Sequence, residues 1–504
     1  MSEETIRGAK RMKTYQDLLQ VRDTDKERME FVRTVINEHK TGELYKWASI
    51  GYDYWRKRNT TILNFKKLLY KATGEAVEDI WGANYKMACG HFNRFVTQEV
   101  QFLLGNGIKW KNKAYRDVEY TDENGKVKTE KEMYYPTAEK LGTKQYPIDT
   151  QMNKGSTAAK WGTVSFGFWN KDHVEFFTAL EFVPLLDEET GSIRSGVRFW
   201  QIDSSKPLRA TLYEEDGYTD MMFYSDAKFR PSEEWQIVEQ GLAKKNKQTY
   251  LIKVTGDSKD RADSTEILQG ENYPFFPIVP LWANKMHQGL IVGMRADFDC
   301  YDLIKSGFAN NVDEASIFYW TLQNAGGMED IDLQKFVEQM KMLHITDLPD
   351  GVTAQANTLE APYNSREALL DRLDKDLYRD AMALDVDNIA NGAINETQLK
   401  AAYEPLNQKT DDFEYCVLEF IDRILELAGI DDEATFERSM ISNQAENIQV
   451  LLQAGGILPT DYVTEKIIYA LGDCDKAGSI IADLHREELN RYTNEETEEN
   501  EENI

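Results

Sequence analysis

The side chains of this chain with the widest chemical repertoire are six histidines and four cysteines, and their spacing argues against catalysis. His39, His91, His173, His287, His344 and His485 stand far apart. No two of them have the i, i+4 spacing that sets two imidazoles on one helix face beside a glutamate for zinc chemistry. Cys89, Cys300, Cys416 and Cys474 form no CxxC pair, which predicts reduced, buried thiols rather than a zinc site or a disulfide framework. Cys89 and His91 are two residues apart, and such positions do not face each other on a helix. His485-Arg-Glu-Glu488 has ligand-type residues but reads as a solvated helix face. Asp385-Val-Asp387 and Asp411-Asp412 carry oxygens a hard cation accepts, yet acidic pairs at helix ends more often cap or face solvent. Gly105-Asn-Gly107 follows a helical pattern, not a strand, and no GxxxxGK[ST] occurs. Gly162-Thr-Val-Ser165-Phe-Gly167 lacks the GxSxG spacing of a nucleophile elbow. The expectation is no catalytic residue, no metal and no cofactor. Carboxylates distant in sequence can still meet in space, so a hydrolase built on the strand-rich middle stays open.

The elements that would carry any site are those of a large soluble-type chain. Its 504 residues suffice for about three cores, and 41% hydrophobic with 29% charged residues describes a folded protein. No apolar run approaches bilayer length, so no membrane partner is expected. The first residues, MSEETIRGAKRMKTYQ, show no apolar signal region, so no export is expected. The net charge of -28 argues against a protein that coats nucleic acid through a basic surface, but suits one past which nucleic acid must slide. Charge is also polarised: residues 1–72 hold 16 Lys/Arg against 10 Asp/Glu, and residues 401–504 hold 7 against 25. A basic and aromatic run, Tyr52-Asp-Tyr54-Trp55-Arg56-Lys57-Arg58, has the residue types that bind nucleic acid, and more often forms a helix with buried rings.

Periodicity predicts helices through residues 1–72, with an apolar cluster at Met29, Phe31, Val32, Val35 and Ile36. It predicts helices over Ala83–Trp110 and Ser156–Phe168, then antiparallel strands from 174 to 282 ending in a proline-rich edge segment. The spacing predicts a central helix over Val292–Glu314, with the apolar stripe Met294, Phe298, Tyr301, Ile304, Phe308 and Val312 and a polar side with Asp297, Lys305, Asn310 and Asn311. A strand follows over 317–323, a short helix over 332–342 and a strand over 352–356. A polar loop of residues 357–364 then leads to a helix that Asn364 would cap. Residues 396–429 hold strict helical spacing, and an acidic, low-complexity tail begins at Thr493.

Four segments, FVTQEVQFLLGNGIKW, PFFPIVPLWANK with DCYDLIKSGFANNVDE, NGAINETQLKAAYEPLNQKTDDFE and LLQAGGILPTDYVTEKI, together resemble the portal proteins of tailed bacteriophages, in the family found in Gram-positive siphophages. The charged stretch 111–150 stands as an insertion in that pattern. The resemblance implies an α+β portal-protein fold with a β-rich wing, long stem helices, a small α/β clip and a helical C-terminal crown. Carried onto this chain, residues 1–290 are N-terminal helices and wing, 291–314 a stem helix, 315–331 the clip and 332–346 a second stem helix. Residues 347–397 are the wing return with the tunnel loop and a long helix, 398–492 the crown, and 493–504 a disordered tail. It further implies a non-enzymatic homo-oligomeric ring, commonly a dodecamer, at one capsid vertex of the virion and assembled in the host cytoplasm. Double-stranded DNA passes its channel. The terminase large subunit, the major capsid and scaffolding proteins and a head–tail adaptor are its partners. Channel or tunnel-loop residues would be Lys305, Gln355, Asn357, Tyr363, Asn364 and Arg366. Clip residues that meet partners would be Phe318, Tyr319, Trp320, Gln323 and Asn324. Another assembling virion protein without a DNA channel remains the alternative within the same class.

Overall fold

The computed structural model describes residues 12–21, 24–70, 74–79, 82–121, 127–226, 229–255, 267–315, 319–323, 353–357, 363–386, 396–439, 452–453, 459–471, 480–481 and 484–486. The expected helix over 332–342, Phe318, Asn324, Cys474 and the acidic tail lie outside the described residues. Helix and sheet are mixed throughout, and the chain divides into two compact units. One comprises Met1–Ser49, Val96–Gly289 and Leu384–Ile504, the other Ile50–Phe95 and Leu290–Ala383.

Among the described residues the larger unit holds two antiparallel sheets of more than two strands, beside three two-stranded pairs. The first has six strands, in the spatial order Gln236–Glu239, Leu242–Lys244, Gly217–Phe223, Leu208–Glu214, Ile193–Trp200, Phe182–Leu186. Helix Asp25–Lys40 starts at a Thr24 cap whose hydroxyl accepts from the Glu27 N–H. It lays Met29, Val32, Val35 and Ile36 against Val183, Val197, Leu212 and Met221 of this sheet, all buried. The second sheet has Val164–Asn170 between Ile278–Trp282 and His173–Thr178. Pro280 therefore sits on an edge strand, where its missing N–H breaks no ladder. Helices Ile148–Gly162 and Glu396–Ala428 pack on this sheet. The approach is close enough that a methyl group at Gly155 would collide with the Phe176 ring and one at Gly167 with the Phe420 ring.

Three local expectations need correction. Ser156–Phe168 is not one helix: Thr163 adopts φ 75°, ends the helix at Gly162, and the β-branched and aromatic run Val164–Asn170 continues as the central strand. Ala83–Trp110 is a helix only over His91–Leu104, followed by a short strand Ile108–Trp110 that pairs with Ala434–Phe436. The residues before His91 run as an irregular segment in which Tyr85 and Met87 are exposed. The expected buried cysteines also differ, because Cys300 is exposed and Cys89 is half-buried.

Where helices His91–Leu104, Ile148–Gly162 and Glu396–Ala428 meet, two buried charges, Glu99 and Lys160, and the half-buried Lys409 come together. The Glu99 side chain is 1% exposed, and its carboxylate pairs with Lys160 and, at 3.0 Å, with Lys409. Lys160 also donates to the Ala283 carbonyl at 2.6 Å and lies 3.8 Å from the Phe413 ring centre. Burial alone would raise the Glu99 carboxyl, but the two ammonium groups override it and hold the group below the ordinary glutamate range. Removing the carboxylate takes its anion from the buried Lys160 and the half-buried Lys409. The Glu99→Ala change is expected to cost about 3–5 kcal/mol of unfolding free energy, read as a fall in the urea midpoint at neutral pH. Because the folded-state value is depressed, the contribution is full above the unfolded glutamate pKa of about 4.3 and is lost as pH falls through the lower folded value. A wild-type to Glu99→Ala gap that stayed constant down to strongly acidic pH would contradict this account.

Candidate functional site

In the smaller unit the central element is the helix Leu290–Ala315, whose 26 residues span about 39 Å at 1.5 Å per residue. Its apolar stripe is buried only in the first half. Met294 and Phe298 are enclosed, with the Phe298 ring 5.9 Å from Phe92 and 6.2 Å from Phe95. Further along, Tyr301, Phe308 and Val312 open onto a groove of about 600 Å³ shared with Tyr85, Met87 and Leu370.

The other side of this helix carries a polar ladder. Asp302 and Ser306 are buried, at 2% and 5% exposure. The Cys89 N–H donates to Asp302 at 2.8 Å, the Met87 N–H to the Ser306 hydroxyl at 3.0 Å, and the Tyr85 N–H to the Asn310 side-chain oxygen at 2.6 Å. The donors are two residues apart and the acceptors four. Two extended residues advance about 6.6 Å and four helical residues about 6.0 Å, so the segment and the helix keep step over three rungs. The ladder continues at its Asp302 end. Asn59 donates to the second Asp302 oxygen at 2.9 Å, and Asp299 accepts from the Thr61 hydroxyl at 2.9 Å and from the Tyr54 hydroxyl. Burial pushes the Asp302 carboxyl above its ordinary range, and burial together with the Asp302 charge pushes the Cys89 thiol up to about 12.

A second helix, Tyr363–Asp380, packs along Leu290–Ala315. Arg366 donates to the Gly307 carbonyl at 3.3 Å, and the Tyr363 ring meets Phe308 edge-on at 5.8 Å. His91 Nε2 hydrogen-bonds Asp374 at 2.6 Å, and Arg94 bonds the Tyr378 hydroxyl. The helix begins at Tyr363, so Asn364 lies in its first turn and is not its cap. The expected channel residues therefore divide. Lys305 lines the groove with its Nζ 5.9 Å from the Tyr301 ring centre, and Tyr363, Asn364 and Arg366 lie on the helix.

Gln355 and Asn357 belong to strand Thr353–Asn357, which pairs antiparallel with Tyr319–Gln323. Tyr319 stands opposite Asn357, Trp320 opposite Ala356, Thr321 opposite Gln355 and Gln323 opposite Thr353. Residues assigned from sequence to channel and to clip thus share one two-stranded ladder. The pairing joins positions thirty or more residues apart, and alternation within either strand carries no trace of it.

The residues with catalytic or ligand chemistry have structural partners. Asp411 accepts from Arg438 at 2.6 Å, Asp412 lies 3.7 Å from Lys285, and His485 pairs with Asp461 at 2.7 Å. Asp387 lies outside the described residues. Among the described residues no group of three or more His, Cys, Asp or Glu side chains is placed to hold a metal ion, and no helix is long and apolar enough to cross a membrane. Sequence reasoning missed Asp299, Asp302 and Ser306. Their signal was a polar stripe at steps of three and four, the same stripe that a solvated helix face shows.

Two outcomes follow from this geometry. Asp302→Ala strands the Cys89 N–H and the Asn59 amide in a buried setting, an expected loss of about 1–3 kcal/mol, with faster amide exchange at Cys89 as the local readout. Thiol labelling of the native protein at mildly alkaline pH, read by peptide mass spectrometry, should modify exposed Cys300 and spare Cys89 until the chain unfolds. Equal labelling of the two would show that the ladder does not protect Cys89.

The model of the family described as "Phage portal protein, SPP1 Gp6-like" matches residues 52–502. A portal protein of Clostridium phage phiCD119 is 26% identical over 197 residues, covering 37% of this chain and 44% of that protein. The match thus spans less than half the length of this curated relative. Among solved structures, the neck of a native gene transfer agent particle computed with C12 symmetry matches over 75% of this chain and 89% of that one, at 8% identity and a TM-score of 0.38. The neck of the empty particle, computed with C6 symmetry, matches over 74% and 87% at 9% identity and a TM-score of 0.39. Such scores carry no argument about shared detail. The family match, which takes in nearly the whole chain after its first helices, establishes that this chain belongs to the SPP1 Gp6-like phage portal protein family.

Proposed function

We propose that the chain is the subunit of a portal ring, commonly of twelve copies, at one vertex of a phage capsid, and that double-stranded DNA enters and leaves through the axial channel. The observation that carries this reading is the family match over residues 52–502. The role is structural and non-enzymatic. The ring is assembled in the host cytoplasm and resides in the virion, where it engages the terminase large subunit during packaging and a head–tail adaptor afterwards. Major capsid and scaffolding proteins surround it.

In this reading residues 1–290 are N-terminal helices and wing, and residues 291–314, within helix Leu290–Ala315, are a stem helix. The clip lies over 315–331 and a second stem helix over 332–346. The wing return over 347–397 carries the tunnel loop, and the crown covers 398–492. The net charge of -28 supports it, since an acidic ring repels the phosphate backbone and favours sliding over binding. Lys305, Gln355, Asn357, Tyr363, Asn364 and Arg366 make the brief contacts to DNA. Phe318, Tyr319, Trp320, Gln323 and Asn324 meet the terminase and the adaptor. Arg366 has a second task, because its bond to the Gly307 carbonyl ties two helices. The cleaner channel test is therefore the exposed Gln355 together with Lys305 and Asn357.

Light scattering with negative-stain imaging of the purified chain should show rings of about a dozen copies with an axial hole. A monomer that persisted across salt and concentration would count against the portal reading. The Lys305→Ala, Gln355→Ala, Asn357→Ala triple variant should still form rings but alter the DNA packaged or retained per particle. Packaging unchanged from wild type would remove these three residues from the channel assignment.

A further inference from the structure

The hairpin made by Ala114–Thr121 and Val127–Tyr134 is the feature that the proposed function does not use. Its strands pair in unbroken register from Ala114 opposite Tyr134 to Thr121 opposite Val127. At about 3.4 Å per residue each strand runs about 27 Å. Among the described residues no third strand joins this sheet. Arg116, Asp117, Val118, Lys131 and Glu132 are exposed, and Tyr115 is 68% exposed. A two-stranded ribbon is marginal in water on its own, and a strand with no neighbour on its outer side presents N–H and C=O groups that template further pairing.

The charges along the ribbon indicate what covers those edges. Arg116 stands opposite Glu132, with Nε 2.9 Å from a carboxylate oxygen, and Asp117 stands opposite Lys131. At these two positions each strand presents one cation beside one anion, and antiparallel pairing matches each with its opposite; Arg116 also reaches Glu139 at 2.8 Å. The outer edge of an Ala114 strand, laid antiparallel on the outer edge of a Val127 strand from another copy, meets the same complement. Joining two different edges head to tail generates a ring, whereas joining like edges closes a twofold pair.

We propose that this hairpin is an assembly arm whose Ala114–Thr121 strand pairs with the Val127–Tyr134 strand of a neighbouring copy of the chain, adding backbone hydrogen bonds to the subunit interface. The proposal rests on the ring reading above and names one of its contacts. The test uses two full-length proteins, Tyr115→Cys and Met133→Cys, both with Cys300→Ser and Cys474→Ser to remove competing thiols. The two positions stand opposite each other in the hairpin register and would do so again across copies. Co-assembly and mild oxidation should give a disulfide-linked dimer in the mixture that neither protein gives alone. Absence of that dimer, or its appearance with Tyr115→Cys alone through like edges, overturns the arm. Light scattering of the same samples separates the two readings. Ring mass without the mixed cross-link removes the arm and keeps the ring, and monomer mass removes both.

Discussion

A polar group taken out of water must find a partner inside the protein, and both compact units are pinned where that requirement is met with side chains rather than with regular backbone pairing. In the smaller unit an irregular segment brings three N–H groups against one helix. Asp302, Ser306 and Asn310 accept them at a spacing that keeps an extended chain and a helix in step. In the larger unit three helices converge on Glu99, and two lysines arrive to neutralise it. Each arrangement fixes the register of one element along another more tightly than apolar contact does, because an apolar contact tolerates sliding and a buried hydrogen bond does not.

The helix Leu290–Ala315 is buried along one half of its apolar stripe and open along the other. Its first half encloses Met294 and Phe298 among aromatic rings, and its polar side is consumed by the ladder. Its second half leaves Phe308 and Val312 on an open groove. A helix needed only for its own core would bury the stripe along its whole length. The open half suits a subunit whose remaining apolar surface is reserved for assembly.

The isolated hairpin follows the same logic at a strand edge. Monomeric proteins shorten, cover or distort such edges to avoid unwanted pairing. A ribbon of two eight-residue strands that no third strand joins among the described residues fits the proposed pairing with a second copy.

Much of the architecture was legible in the residues. The helical spacing of Met29, Val32, Val35 and Ile36, the stripe on Leu290–Ala315, the prolines of the edge strand and the four segments that mark the portal family are local patterns, and hydrophobic period or short motif suffices to read them. Three things were decided only by tertiary structure. Asp302 and Ser306 look like solvated residues in sequence, because a polar stripe reads the same whether water or a backbone N–H faces it. Tyr319–Gln323 and Thr353–Asn357 pair across thirty or more residues, and strand alternation names no partner. Thr163 ends a helix at positive φ and turns Val164–Asn170 into a central strand, because packing between a helix and two other strands outweighs the weak local preference of that stretch. Local periodicity says what a segment can become, and the burial of its polar groups and its long-range partners decide which option the folded chain takes.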